Sequence, residues 1–543
     1  MKHLAIMLLV LPAAAQPADL RGNTRLLPAP SFQADDLPRI APLPPEENKL
    51  SAQLQARIKA YRFEGNTAIP TSELEKLASP YTGRTVTSED LDELRHRITL
   101  LYIDKGYVNS GAVLPDQEIR DQIVTFRIVE GTLNAIRVTG TSALKADYVS
   151  KRLVLAPPLN VNILQQRLVL LQQNGLIERI NAELIPGTRP GESALNVAVK
   201  EAIPYQMGLS LSNHYSPSVG PYHLELYASH KNLSGVGDSI EANYGLTRGI
   251  NDYFLHYARP LDASDTTAGL RLSQNDTAVV EAPFNQLNIT SRSQTVGIDL
   301  DRPILQTPSE KLSIGFALEN RKSQTYLLNL PFSFSAGAVN GRSSESVFRF
   351  SQEWVKKEPY RAMTLRSTLS TGTTNALPKI GNIGPDKHFL SWLGQGQWAQ
   401  RLDNGRQIIL LANLQWSPQT LLTLEKFGLG GANTVRGYRE TQLLRDSGFV
   451  FSAEYRIPIL FDASGISRTQ LAPFIDYGKG WNSDQSPDLP RDIASAGLGI
   501  LWNPNSHWQA QAYAGYAFRQ FRNPVSHDLQ DIGIHFLLNY QLY

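Results

Sequence analysis

Beyond residue 205 the chain alternates between apolar and polar side chains. Ile240, Ala242, Tyr244 and Leu246 alternate with Glu241, Asn243 and Gly245, and Ile408, Leu410, Ala412, Leu414 and Trp416 alternate mainly with polar or small residues. Trp508, Ala510, Ala512, Ala514, Tyr516 and Phe518 do the same against Gln509, Gln511, Tyr513 and Gly515. A period of two predicts strands with one apolar and one polar face. About 16 such segments follow one another, at roughly 205–214, 221–231, 237–247, 251–259, 266–274, 290–302, 310–324, 344–356, 361–371, 386–402, 405–417, 447–457, 468–479, 491–503, 506–519 and 529–543. No helical periodicity interrupts them.

A soluble sandwich would bury the apolar faces, whereas a membrane barrel would turn them to lipid and point the polar faces into a lumen. The segments are long enough for a tilted strand to cross a bilayer, and Tyr, Trp and Phe lie near their ends, where interfacial girdles need them. In hydrocarbon every backbone group must be paired, so only a closed barrel accommodates so many strands. The pattern therefore predicts a transmembrane barrel. Its last strand fits imperfectly: Ile532, Ile534, Phe536, Leu538, Tyr540 and Leu542 share an apolar face, but the final Tyr543 falls on the other, an offset that a bulge would explain.

From about 56 to 201 the pattern is mixed, and one order of elements occurs twice. The first copy has an extended stretch ending at Phe63-Glu64-Gly65-Asn66 and a helix start at Thr71-Ser72-Glu73-Leu74, with Thr71 as expected N-cap. A second helix begins at Thr87-Ser88-Glu89-Asp90 with Leu91, Leu94, Ile98 and Leu101 on one face, followed by strands at 108–114 and 123–129. The second copy runs from Ala135-Ile136-Arg137-Val138-Thr139-Gly140 through a helix bearing Leu164, Leu168 and Leu171 to strands at 181–185 and 194–199. The expected organisation is a leader at 1–15, a proline-rich linker at 16–55, α+β units at 56–132 and 133–202, and the barrel at 203–543.

The leader follows from MKHLAIMLLVLPAAAQ, a short polar start, an apolar core and small residues before Gln16, the layout of a secretory signal peptide. The linker follows from runs such as Ala41-Pro42-Leu43-Pro44-Pro45, which suit neither a long helix nor a central strand. There is no cysteine, so an exported chain of this kind relies on packing and hydrogen bonds without disulfides. A net charge of +2 gives no electrostatic case for nucleic acid. The ten histidines form no HExxH and no GxSxG is present, so neither a catalytic constellation nor a metal or cofactor site is expected.

One loop stands out. FGLGGANTVRGY, residues 427–438, is rich in glycine and sets a single cation between apolar neighbours. Such backbone freedom suits a chain folded into a confined space. Two strands later comes FIDYG, 474–478, where Pro473, Ile475 and Tyr477 would face lipid and Asp476 the lumen, beside Gly478. On the intervening strand Phe449, Phe451, Ala453, Tyr455 and Ile457 share one face, leaving Ser452, Glu454 and Arg456 on the lumen side, the latter two as lumen charges. A loop folded inward brings Arg436 within reach of Asp476.

Two α+β units, a barrel of about 16 strands, VRGY and FIDYG together resemble the two-partner secretion transporters of the haemolysin secretion/activation and filamentous haemagglutinin type. That family lies within the POTRA–barrel superfamily, which also holds the barrel-assembly insertases. Gly106-Tyr107 and Ser110-Gly111-Ala112-Val113-Leu114-Pro115-Asp116-Gln117 are similar to the family's first POTRA domain. The resemblance implies periplasmic α+β POTRA domains followed by a transmembrane antiparallel β-barrel in the outer membrane of a Gram-negative cell. It implies a lumen-inserted loop in which Gly430, Gly431, Val435, Arg436, Gly437 and Tyr438 form the motif, and a wall motif of Phe474, Asp476 and Gly478 whose carboxylate pairs with Arg436. The implied partners are a secreted haemolysin-, haemagglutinin- or adhesin-like exoprotein, outer-membrane lipid, and the barrel-assembly machinery that inserts the barrel. Family members often carry an N-terminal plug helix, against which the proline and glycine of residues 17–30 argue. The competing readings are an outer-membrane insertase and a passive porin, the latter having no use for two periplasmic domains.

Overall fold

The computed structural model describes residues 55–543 except 336, 377–383, 463–464, 466, 485–487, 522–526 and 543. The expected leader, nearly all of the expected linker with any plug helix, and Tyr543 lie outside the described residues. The rest forms two compact units, one of residues up to 204 with 234–237, the other of 205–233 and 238 onward.

The first unit contains two copies of one sheet. The first copy runs β1 (Gln55–Arg57), β2 (Ala60–Glu64), α1 (Thr71–Ala78), β3 (Thr85–Thr87), α2 (Ser88–Asp104), β4 (Gly111–Val113) and β5 (Ile123–Val129). The second runs β6 (Thr132–Thr139), α3 (Ala146–Leu153), α4 (Val161–Gln173), β7 (Ile177–Pro186) and β8 (Glu192–Glu201). In the three-stranded sheet of each copy the last strand lies centrally, parallel to that sheet's first strand (β2 with β5, β6 with β8) and antiparallel to the hairpin partner (β4 or β7), while β1 and β3 pair separately. The helices cover one face: Leu91, Leu94, Ile98 and Tyr102 of α2 pack on Val124, Phe126 and Ile128, and Leu164, Leu168 and Leu171 of α4 on Leu195, Val197 and Val199.

Several local expectations are corrected. Thr71 is the first helical residue and not the N-cap. Pro70 holds the cap position, and Thr71 Oγ1 instead accepts from Asn66 Nδ2 at 3.0 Å. The capping device sits on α2, where Thr87 and Asp90 form a reciprocal capping box. The strand expected over 108–114 shrinks to Gly111–Val113. Helix α3 has no counterpart in the sequence reading, because its buried Tyr148, Val149 and Leu153 are too few to establish a helical period.

The repeat extends to a detail of the turns. Glu130, after β5, accepts from the amides of Thr67 (2.6 Å) and Ala68 (2.8 Å), from Thr67 Oγ1 and from Tyr102 Oη (3.0 Å). Glu201, ending β8, accepts from the amides of Ser142 (2.6 Å), Ala143 (3.1 Å) and Leu144 (2.9 Å). Each carboxylate ties down the turn that follows the first strand of its three-stranded sheet, β2 or β6.

The second unit is a closed antiparallel barrel. Its strands are β9 (Tyr205–Ser212), β10 (His223–His230), β11 (Ser239–Leu246), β12 (Ile250–Pro260), β13 (Thr267–Ala278), β14 (Thr290–Gln306), β15 (Glu310–Leu327), β17 (Arg342–Glu358), β18 (Arg361–Thr374), β19 (His388–Arg401), β20 (Gln407–Trp416), β23 (Ser447–Phe461), β24 (Ser467–Trp481), β25 (Asp492–Trp502), β26 (Trp508–Ala517) and β27 (Ile534–Gln541). These are the 16 strands of the wall. The two-residue β16 (Leu330–Pro331) only extends the β15 hairpin, and β21 (Phe427–Leu429) and β22 (Leu443–Arg445) form a separate hairpin. The seam closes where Leu537–Gln541 of β27 pair with Gly208–Ser212 of β9.

The barrel is inside-out relative to a soluble core. Leu209, Leu211, Phe316, Leu318, Ile475 and Ile500 are exposed on the outer surface, whereas Glu319, Arg321, Glu345, Arg349, Glu454 and Asp476 are buried. That distribution is stable only with hydrocarbon outside. The last strand begins later than expected, at Ile534: residues 529–532 form a 3-10 turn capped by Asp528, and Gly533 turns the chain into β27.

Candidate functional site

The long connection between β20 and β23 carries the glycine-rich loop. Its base is the hairpin β21–β22, with Phe427 opposite Arg445 and Leu429 opposite Leu443. Between them the chain doubles back through Gly430, Gly431 and Gly437, all at positive φ (100°, 106° and 91°), where side chains are disfavoured. Phe427, Leu429, Val435, Tyr438 and Leu443 of the loop form a buried apolar cluster with Val450 of β23 and Ile493 of β25.

Arg436, at the turn, is 6% exposed, and Asp476 beneath it is fully buried. Its Nε and Nη2 donate to Asp476 Oδ2 and Oδ1 at 2.9 and 2.8 Å, and its backbone amide adds a 2.9 Å bond to Oδ2. Nη1 donates to Glu454 Oε2, and Nη2 also reaches Ser452 Oγ at 2.9 Å. The guanidinium carbon lies 3.7 Å from the centroid of Phe474 and 4.6 Å from that of Tyr513. A planar cation with a bidentate carboxylate, a second carboxylate and an aromatic face uses all that arginine offers and lysine does not.

Strand register produces this arrangement. Ser452 of β23 stands opposite Asp476 of β24 and Ser495 of β25, and the next inward row is Glu454, Phe474 and Gly497. The two rows make a socket of acceptors floored by a ring. Gly478 continues the inward face of β24: a Cβ there would lie 2.9 Å from both Leu429 Cδ2 and Val435 Cγ2, so the absent side chain is the space the loop occupies. On β26, Gly515 lets Gly437 approach, a Cβ on Gly437 falling 2.9 Å from Gly515 O. Tyr438 Oη donates to Ala494 O at 2.9 Å and accepts from Arg519 N at 3.1 Å.

The structure thus brings together Gly430, Gly431, Val435, Arg436, Gly437, Tyr438, Phe474, Asp476 and Gly478. Glu454 and Arg456, expected only as lumen charges, belong to the same network: Glu454 binds Arg436 directly and accepts from Arg456 Nε at 2.6 Å. Arg436 therefore has two carboxylates where sequence reasoning named one. The glycines of β25 and β26 were also missed, although Gly497 and Gly515 recur on the strands next to FIDYG. So was Arg439, which binds Asp531 (Nη2–Oδ2 2.7 Å) and Glu281 (2.8 Å) and ties the loop to two further connections. Among the described residues no group of three or more His, Cys, Asp or Glu is placed to hold a metal.

The comparisons with known proteins identify the family. Residues 191–501, more than half of the chain, match the model of the haemolysin secretion/activation protein ShlB/FhaC/HecB family, and residues 56–131 match the ShlB-type POTRA domain. The heme/hemopexin transporter protein HuxB of Haemophilus influenzae is 24% identical over 444 residues, covering 79% of this chain and 77% of its own length. The structure of CdiB from Escherichia coli superposes with a TM-score of 0.69 at 19% identity, covering 94% of this chain and 95% of that one. BamA from Haemophilus ducreyi lacking POTRA domains 1–3 shares the fold more distantly, with a TM-score of 0.54 at 14% identity over 91% of this chain and 100% of that one. Barrel and family match converge: the chain belongs to the ShlB/FhaC/HecB family of haemolysin secretion/activation proteins, outer-membrane transporters that secrete an exoprotein, with their POTRA domains in the periplasm.

Proposed function

We propose that this transporter takes an unfolded exoprotein from the periplasm on its two α+β units, passes it through the lumen, and must displace the 427–445 loop to do so. The observation that carries the reading is the buried Arg436–Asp476–Glu454 clamp, which fixes a loop across the interior of the barrel. Among the described residues, each three-stranded sheet of the first unit leaves its outer strands, β2 and β4 or β6 and β7, with one edge unpaired in the sheet. An extended polypeptide adds to such an edge through main-chain hydrogen bonds that tolerate varied sequences. No nucleotide motif is present, so folding of the exported chain outside the cell supplies the drive. The exoprotein is of haemolysin, haemagglutinin or adhesin type, the barrel contacts outer-membrane lipid through its exposed apolar belt, and the barrel-assembly machinery inserts it.

The test is secretion by Arg436→Ala in cells that express the matching exoprotein. The variant is expected to reach the outer membrane as a heat-modifiable barrel while release of the exoprotein falls sharply. Normal release by a correctly inserted variant would refute the role of the clamp. A partial return of release in the swap Arg436→Asp with Asp476→Arg would show that the pairing itself matters.

A further inference from the structure

The same connection carries a second buried charge contact, well away from Arg436 around the wall. Glu425 lies in a short 3-10 turn, Thr423–Glu425, just before β21, and is 4% exposed. Its Oε1 accepts from Arg321 Nη1 of β15 at 2.7 Å and from Arg349 Nη2 of β17 at 2.6 Å, and its Oε2 from Arg349 Nη1 at 3.1 Å. Its carbonyl accepts from Gln415 Nε2 at 2.9 Å, and the same amide bonds Asp446 O at 3.0 Å, so both ends of the connection are gathered at one point. Nearby Leu421 packs on Val347 of β17 and Phe389 of β19. The Arg436 socket is built instead on β23, β24 and β26.

We propose that Glu425 is a second latch, holding the base of the loop to the β15–β17 wall independently of the Arg436 latch at its tip, so that the loop leaves the lumen only when both let go. Three features support this. First, the contacts use different strands and share no residue, so breaking one removes no partner from the other. Second, the hairpin β21–β22 separates the two contacts along the connection, Glu425 lying just before β21 and Arg436 between its two strands. Third, the wall does not need Glu425 for its own charge balance. Arg321 keeps Glu319 at 2.8 Å, Arg349 keeps Glu319 at 3.2 Å, and Glu345 lies 3.7 Å from Arg321 with no hydrogen bond to either carboxylate oxygen. Without Glu425 the group is already balanced, three carboxylates (Glu319, Glu345 and Asp299) against three guanidiniums (Arg271, Arg321 and Arg349). A carboxylate added to a wall that is already balanced without it is accounted for by what it does for the loop. The inference deepens the transport reading and rests on it for its consequence, since a strap held at two ends must be released at both before a chain can pass.

The chain has no cysteine, so single introduced thiols report without background. Leu421→Cys reports the base and Val435→Cys the tip, their parent residues being 2% and 0% exposed. In the full-length protein reconstituted in lipid, labelling of each thiol by a membrane-impermeant maleimide is timed in four backgrounds: parent, Glu425→Gln, Arg436→Ala and both. Glu425→Gln is expected to speed labelling at 421 by about tenfold, as loss of charge-assisted hydrogen bonds implies, and to leave 435 slow. Arg436→Ala is expected to do the reverse, and the double variant to speed both. If either single variant speeds both positions alike, the loop is held as one body and the proposal is overturned. It is likewise overturned if Glu425→Gln leaves 421 unchanged. Glu425→Asp, which keeps the charge but shortens the reach, should free the base in the same way and serves if the glutamine variant fails to insert. The labelling needs no exoprotein, so its failure and a failure of the secretion test are separate results.

Discussion

The guanidinium carbon of Arg436 lies over the ring of Phe474, 3.7 Å from its centroid, while the same side chain bonds the carboxylate of Asp476 two residues further along the strand. Alternate residues of a strand share a face, so Phe474, Asp476 and Gly478 present a ring, a charge and a gap in one row, and the loop fills all three. This relationship predicts a graded series. Phe474→Leu removes a cation–π contact of about 0.5–2 kcal/mol and should weaken loop docking modestly. Asp476→Ala strands a buried cation, a loss of roughly 3–5 kcal/mol. Protease sensitivity of the 427–445 loop should therefore rise from parent to Phe474→Leu to Asp476→Ala. Equal sensitivity of the two variants would show that the ring matters as much as the charge.

Gly478 predicts a steric rescue. A valine there would collide with Leu429 and Val435, whose methyl carbons already lie 2.9 Å from the position of a Cβ, and overpacking of this kind costs about 1–3 kcal/mol. Gly478→Val should lower exoprotein release, and adding Val435→Ala should restore part of it. An unrestored double variant would place the defect in the strand and not in the space for the loop.

Gly437 and Gly515 form a reciprocal contact in which each Cβ would meet backbone of the other, at 2.9 Å and 2.8 Å. Backbone cannot step aside as a side chain can. Gly515→Ala, at ordinary strand angles, isolates this collision, whereas Gly437→Ala adds the strain of φ 91°, roughly 1–3 kcal/mol. Both should increase loop accessibility, Gly437→Ala the more. The reverse order would mean that close approach outweighs backbone strain.

Glu201 predicts a pH dependence in the first unit. Burial works to raise its carboxyl pKa, but the amides of Leu144, Ser142 and Ala143 outweigh that and hold it below the usual carboxylate range. A depressed folded-state pKa means that the stabilisation is complete above the unfolded value and is lost as pH falls through the folded one. Amide exchange of residues 142–144, corrected for its intrinsic pH dependence, should therefore stay protected at neutral pH and lose protection in acid. Glu201→Gln should be less protected already at neutral pH, by about 1 kcal/mol. Unchanged protection in that variant would remove the carboxylate from the account.

Much of the fold was legible because its causes are local. Lipid outside and polar interior impose a period of two on every strand, so all 16 wall strands could be placed from alternation, and the β15–β17 hairpin missed only its two-residue offshoot β16. Ile532 shows the limit. It continues the apolar alternation of the last strand, yet it is 67% exposed in a 3-10 turn, because the Asp528 cap and Gly533 override a pattern that two more apolar residues would satisfy.

What the sequence by itself determined is the membrane barrel and the doubled α+β unit, since alternation and repeat are written along the chain, while the pairing of Arg436 with Asp476 came from the resemblance of its motifs to the family's. Only the tertiary structure decided that Glu454 shares Arg436, that Gly497 and Gly515 make room for the socket, and that Glu425 crosses to Arg321 and Arg349. Those contacts join residues 18 to 104 positions apart. They depend on strand register and on where a long loop falls inside a closed wall, and no local period records either.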